Sequence, residues 1–428
     1  MRPRTSFSSA VLGPSASSWP SLRRLAPLLA PGLLAAALGC GEDAQSPTAP
    51  EPEPALAAGA AAPALSFRQV SAGGGLSGDL HACGVTTDDR AYCWGANLWG
   101  QLGIGTSAGP EDCGNPCSTR PVAVLGGLRF RHVSAGDRFT CGITTDDRAY
   151  CWGRNFEGQL GDGTQTHRLR PVPVAGTRRF RQVRAGASHA CAINLFDVAF
   201  CWGLNGEGEL GDGTTTQRLT PVRVAGGLRW RLLSGDLHTC GVTTADRAYC
   251  WGTNRTGALG DGTTTRRLRP VPVSGGLPFR QIDAGTFYTC GVTTGDVAYC
   301  WGLNSSGQLG DGTQNSHPTP TSVFGRLRRY DHVSAGGGHT CGVTRADRGF
   351  CWGNNLSGQL GTGTTAFRLI PTALGVDLSL AQVSAGYIST CGVTTDHRAY
   401  CWGDNSDGQL GDGTTTRRLT PVPVAGSN

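Results

Sequence analysis

From residue 66 onward, apolar and polar positions alternate in short runs that end at glycine or at a polar cluster. "FRQVSAG" (Phe67 to Gly73), "HACGVTT" (His81 to Thr87) and "RAYCWG" (Arg90 to Gly95) carry the two-residue period of half-buried strands. A "PVPV"-type run such as Pro171 to Val174 follows after a long loop. No 3.6-residue period is sustained, which argues against a helical solenoid. The set of runs then returns. C-x9-C-W-G occurs at Cys83 and Cys93, Cys141 and Cys151, Cys191 and Cys201, Cys240 and Cys250, Cys290 and Cys300, Cys341 and Cys351, and Cys391 and Cys401, with start-to-start spacings of 58, 50, 49, 50, 51 and 50 residues. A fixed period of that size marks a stacked or closed repeat architecture. Four short antiparallel strands make one propeller blade, and closing the ring removes exposed sheet edges. The expected fold is all-β: a seven-bladed β-propeller with four-stranded antiparallel blades, over residues 66–428.

Each repeat also carries W-G-x-N-x-x-G-x-L-G-x-G-T, as in "WGRNFEGQLGDGT" (Trp152 to Thr164), "WGLNSSGQLGDGT" (Trp301 to Thr313) and "WGDNSDGQLGDGT" (Trp402 to Thr414). The pattern resembles the regulator of chromosome condensation repeat family, which implies a seven-bladed propeller and says little about activity, because propellers host unrelated functions. The first repeat has no "PVPV" run ahead of "FRQV", while the chain ends on one (Pro421 to Val424). The last strand is therefore expected to return and complete the first blade.

Pairing Cys83 with Cys93 also pairs Gly84 with Tyr92 and Val85 with Ala91, leaving Thr87-Asp88-Asp89 as a three-residue turn. Asp recurs at the third turn position in six copies, where a left-handed residue is expected. Directly opposed residues in such a pair lie within reach of a disulfide. Zinc would need four convergent ligands, which two cysteines per blade do not supply. A redox pair would be a closer C-x-x-C in an electropositive pocket. Free buried thiols remain the alternative, and the compartment decides between them and bridges.

The N-terminus speaks to the compartment. Positive charge in "MRPRTSF" and "SLRRL", the apolar run Leu25 to Leu38 and "ALGC" ending at Cys40 read as a bacterial signal peptide (1–39) with a lipobox-like end. Ala37 stands where a lipobox has Leu. Cys40 is the expected lipidation site, and the Pro/Ala-rich segment 40–65 a tether. The expectation is an exported, lipid-anchored protein of the bacterial cell envelope, its membrane contact made through the N-terminal lipid. In an oxidising compartment the fourteen hairpin cysteines, with Cys113 and Cys117 of "DCGNPC", are expected to form disulfides.

Charge narrows the partners. The formal net charge is +6, and removing Arg2, Arg4, Arg23 and Arg24 leaves about +2, so nucleic acid is not expected. There is no lysine, which excludes Walker-type phosphate loops and Schiff-base chemistry. Arg168, Arg218, Arg267, Arg368 and Arg418 recur three residues before the "PV" proline; they read as loop-packing residues rather than an anion-binding ring. His81, His189, His238 and His339 share a position that also takes Phe139, Tyr288 and Ser389, which suits packing or hydrogen bonding better than ligation. The "GDGT" turns lack the ligands of a calcium loop. The seven tryptophans that recur in register in C-W-G, from Trp94 to Trp402, read as core or inter-blade packing. No nucleophile–base constellation stands out, so neither catalysis nor a metal or cofactor is expected, although a hydrolase using Asp/Glu pairs stays open.

What varies between repeats is the first and third connection of each blade, which emerge at one end of an antiparallel meander. The second connection, mostly "TTDDR"-like, barely varies. The variable face carries Trp99, Arg138, Phe156, Arg255, Phe287 and Tyr387, and aromatic and Arg side chains dominate interface energetics. The function expected is a non-catalytic envelope module, a monomer, that binds a partner protein or surface ligand through this face. The resemblance supplies the alternative, because the family's founding member is a guanine-nucleotide exchange factor working with a small GTPase and chromatin. No repeat here carries a wedge-like insertion of the sort that member uses.

Overall fold

The computed structural model describes residues 64–75, 78–325 and 328–427. The expectations for the signal peptide, Cys40 and nearly all of the tether fall outside the described residues. The rest is seven antiparallel sheets, six of four strands and one of five, in an all-β ring. The first blade runs Phe67–Ala72, His81–Thr86, Ala91–Ala96 and Pro116–Ala123, with a short edge strand, Glu111–Asp112, added by the insertion in its third connection.

Local chemistry explains the inner strands. Their "FRQV" pattern places two apolar residues three apart, which would face opposite ways in a regular strand. An irregularity between Phe67 and Gln69 absorbs the extra residue, and both Phe67 and Val70 are fully buried. The same shift recurs in the other inner strands, for example between Phe130 and His132. The hairpin register is the one the cysteines predict, with Cys83 opposite Cys93 and Val85 opposite Ala91. The third turn residue is left-handed in every blade, from Asp89 (φ 67°) to His397 (φ 68°).

The core lies between blades, not within them. Cys83, Val85, Ala91 and Cys93 of the first blade pack on Phe130, Val133 and Trp152 of the second. The seam between the last and first blades repeats this with Cys391, Val393, Ala399 and Cys401 against Phe67, Val70 and Trp94. Each of the seven C-W-G tryptophans also donates its indole N–H backwards, as Trp152 does to the Gln101 carbonyl at 2.9 Å and Trp94 to Gln409 at 3.0 Å.

Among the described residues there are eight disulfides. Seven close the hairpins as the register requires, with Cα atoms 4.0–4.1 Å apart: Cys83 with Cys93, Cys141 with Cys151, Cys191 with Cys201, Cys240 with Cys250, Cys290 with Cys300, Cys341 with Cys351 and Cys391 with Cys401. The eighth joins Cys113 to Cys117 in the insertion.

Ring closure differs from the expectation. The last strand, Arg418–Pro423, pairs with Ala399–Gly403 and completes the seventh blade, while the first blade takes its fourth strand from its own "STRPVA". Among the described residues no strand crosses the seam. It closes instead through the contacts that join any two blades, including the Phe67 N to His397 O bond that recurs as Phe130 N to Asp89 O, and it is supplemented by a hydrogen bond from Leu65 N to Gly426 O. The inter-blade core is continuous around the ring, so strand exchange is not needed to hide an edge.

Candidate functional site

The long repeat motif is a loop-folding code. Asn155 accepts from Leu160 N at 2.9 Å and donates to the Thr164 and Thr166 carbonyls at 3.0 Å, while Asp162 accepts from Thr164 N. Gly161, at φ 68°, leaves no room for a Cβ beside the Trp202 indole. The arginines ahead of "PV" belong to the same device: Arg168, Arg218, Arg267 and Arg418 pair with Asp162, Asp212, Asp261 and Asp412 at 2.7–2.9 Å. Arg368 has Thr362 in place of that Asp.

The shared histidines are inter-blade bolts. His81, His189, His238 and His339 are buried, and each Nε2 lies 2.7–2.8 Å from the hydroxyl of Thr140, Thr239, Thr289 or Thr390 in the next blade. Burial lowers their pKa to about 3, and to about 4 for His189, so they stay neutral in the fold. Tyr288 does the same work by donating to the His339 carbonyl. Among the described residues no group of three His, Cys, Asp or Glu side chains is arranged to hold a metal.

The first and third connections do meet at one end of the ring. Trp99 Nε1 donates to Asp79 at 3.2 Å, and Thr256 Oγ1 to the Phe287 carbonyl at 2.6 Å. The structure brings three of the six candidate residues together. Trp99 lies edge-on to Phe156 across the boundary of the first two blades, ring centres 5.5 Å apart, and His167 touches both at 5.0 and 4.4 Å. Arg138 sits over Trp99 at 5.6 Å and pairs with Asp79 at 2.6 Å; Arg154 covers Phe156 at 5.2 Å. His167 is fixed by accepting from Asn155 N at 2.9 Å, and burial together with Arg154 lowers its pKa. The result is a rigid aromatic platform with cationic edges, on which Phe156 is 48% exposed.

The other three candidates stand apart from it. Arg255 is largely exposed and reaches Glu207 of the preceding blade at 3.3 Å. Phe287 and Tyr387 are half-buried, and Tyr387 lies at the mouth of the central channel. His167, Arg154 and Asp79 do not stand out in the sequence; His167 is visible there only as the residue between "QT" and "RLRP", where other blades have Gln, Arg, Ser or Phe.

The opposite face is less uniform than the turns suggest. The third blade replaces "TTDDR" with Asn194-Leu195-Phe196-Asp197-Val198, leaving Phe196 75% and Leu195 48% exposed. Turn aspartates are also occupied: Asp89, Asp147 and Asp246 pair with Arg68, Arg131 and Arg231 of their own inner strands. Those arginines donate in turn to the Phe130, Phe180 and Phe279 carbonyls of the next blade.

Comparison with known proteins agrees with this architecture. The RCC1-like domain profile matches residues 34–342, and regulator of chromosome condensation (RCC1) repeats match residues 330–359, 380–409, 348–393 and 396–428. The ultraviolet-B receptor UVR8 of Arabidopsis thaliana is 37% identical over 92 residues, 22% of this chain and 20% of that protein. The human probable E3 ubiquitin-protein ligase HERC4 is 34% identical over 91 residues, 21% of this chain and 8% of that protein. The matched stretch thus spans at most a fifth of these relatives. Among solved structures, human WBSCR16 superposes with a TM-score of 0.71 at 20% identity (79% of this chain, 95% of that one). Prp20p of Saccharomyces cerevisiae, whose structure was described with its binding to Gsp1p and histones, gives 0.70 at 19% identity (79% and 87%). At such identities the likeness is one of fold. With the profile covering well over half its length, the chain belongs to the RCC1-like domain family.

Proposed function

We propose that this propeller is a non-catalytic binding module that holds a partner protein on the face of its variable loops, centred on Trp99 and Phe156. The observation that carries this is the platform itself: two large aromatic rings, locked edge-on and flanked by Arg138 and Arg154, in loops that a rigid ring supports from below. Preorganised aromatic and Arg anchors lose little entropy on binding and dominate interface energies. Binding of named protein partners by Prp20p, a propeller of the same fold, is compatible with this use. The exchange-factor alternative has no specific observation among the described residues in its favour.

The proposed setting is the cell envelope, with Cys40 lipidated and the ring held off the membrane by the Pro/Ala-rich segment. Eight disulfides support an oxidising compartment. Cys40→Ser should release the protein from membranes or leave it unprocessed; unchanged retention with an uncleaved N-terminus would speak for an anchor helix instead.

The face is tested with a partner captured by cross-linking from envelope extract. Trp99→Ala and Phe156→Ala should each weaken capture by about 2 kcal/mol or more. Alanine at the exposed turn residues Thr87, Thr145 and Thr244 on the opposite face should change it little. Loss of capture in the turn variants alone would place the functional face on the other side.

A further inference from the structure

The seven inner strands line a central cavity of about 300 Å³. At the fifth position of these strands the ring reads Ser71, Ser134, Arg184, Ser234, Asp283, Ser334 and Ser384. The common serine has a structural job. Each hydroxyl accepts the backbone N–H of the next blade: Ser71 from Ala135, Ser134 from Ala185, Ser234 from Ala284, Ser334 from Ala385 and Ser384 from Ala72, at 3.0–3.1 Å. Asp283 substitutes for serine without loss, accepting from Ala335 N at 2.9 Å.

Arg184 breaks the series. A guanidinium has no acceptor, so it cannot bolt the third blade to the fourth, and no side-chain oxygen among the described residues meets the N–H of Gly235. In exchange the channel gains a cation. Arg184 lines the cavity, and no described residue accepts a hydrogen bond from it or forms an ion pair with it. Burial pushes its pKa down, while the charge of Asp283 pulls it back up.

Asp283 acts on it only through space and makes no ion-pair contact with it. The carboxylate turns to the neighbouring hydroxyls, taking Ser234 at 2.6 Å and Ser334 at 3.1 Å besides Ala335 N. Arg184 is partly buried on the channel wall, and the fold has given up a repeated hydrogen bond to place a cation there. Its five N–H donors form a planar fork that suits a carboxylate. The Asp283 carboxylate, which lines the same cavity, sets a limit on the ligand: it disfavours a multiply charged anion such as phosphate. We propose that the central cavity is a binding site for a free small monocarboxylate, held by the Arg184 guanidinium. This site is separate from the loop platform and does not depend on it.

The test is calorimetric titration of the oxidised full chain with acetate, glycine and inorganic phosphate in low-chloride buffer. Saturable binding of acetate or glycine, stronger than that of phosphate, is expected. Arg184→Ser, which restores the residue of the other blades, should weaken it at least about tenfold and should itself raise the melting temperature. Arg184→Lys keeps the charge without the fork and should fall between. Absence of saturable carboxylate binding, equal binding by Arg184→Ser, or a preference for phosphate would each overturn the proposal.

Discussion

Gln382 in the seventh blade holds Val70 in the first by both ends of its amide. Its Nε2 donates to the Val70 carbonyl at 2.7 Å and its Oε1 accepts the Val70 N–H at 3.0 Å. Gln69 makes the same clamp on Val133 and Gln281 on Val333, so the seam between the chain's two ends is bolted like other blade boundaries.

Removing this clamp should loosen the ring where covalent continuity is missing. Gln382→Leu copies Leu232, the residue at this position in the fourth blade; it leaves the N–H of buried Val70 unpaired and its carbonyl with only the 3.4 Å contact from Gln69 Nε2. A loss of about 1–3 kcal/mol is expected in urea unfolding. A change within error would show that the seam is held by the apolar core alone.

The buried histidines should make the ring acid-sensitive. Native His238 stays neutral down to about pH 3, whereas the unfolded chain takes up that proton near 6.5. Its contribution is therefore complete above pH 6.5 and is lost as the pH falls toward 3. Asp236 and Asp407 run the other way: burial raises them to about 7 and about 6, so their contribution is lost as the pH rises to those values. His238→Phe, which copies Phe139 of the second blade, should lose less stability than the wild type between pH 7 and pH 4.5. Equal losses would show that this ring is protonated in the fold.

Non-reducing peptide mapping should link Cys141 to Cys151 and Cys341 to Cys351, and never one blade to another. Replacing Cys341 and Cys351 together with alanine should cost about 2–3 kcal/mol of stability. Thiols recovered free from oxidised protein would contradict the pairing.

The turn aspartates should prove structural. Asp147→Ala removes the partner of Arg131 and leaves alanine at a φ of 67°, for an expected cost of about 1–2 kcal/mol. Asp147→Asn should recover part of it, because Asn tolerates the left-handed conformation. An alanine variant as stable as the wild type would mean that neither the ion pair nor the backbone preference matters there.

The repeat made most of the architecture legible. Cysteine spacing and strand alternation fixed the hairpin register, the turn length and the left-handed third residue, because these are local properties of a chain that must pair with its own neighbour. Closure was not legible, because the first blade's own fourth strand, "STRPVAV", lies behind an insertion and no longer looks like "PVPV". The candidate face was partly legible: variability drew attention to Trp99, Arg138 and Phe156, but nothing in the chain order says that His167 meets them or that Arg255, Phe287 and Tyr387 do not.

The sequence by itself determined what depends on residues within one repeat: seven blades, their strands, their disulfide pairs and the loop code around Asn155. Only the tertiary structure decided what passes between repeats. The histidine–threonine bolts, the Arg68–Phe130 type of contact, the aromatic platform and the solitary Arg184 all join residues about 50 or more positions apart or face a common axis. Such contacts are set by the curvature of the ring. One blade cannot encode that curvature, because it arises only when seven sheets bury their faces against one another.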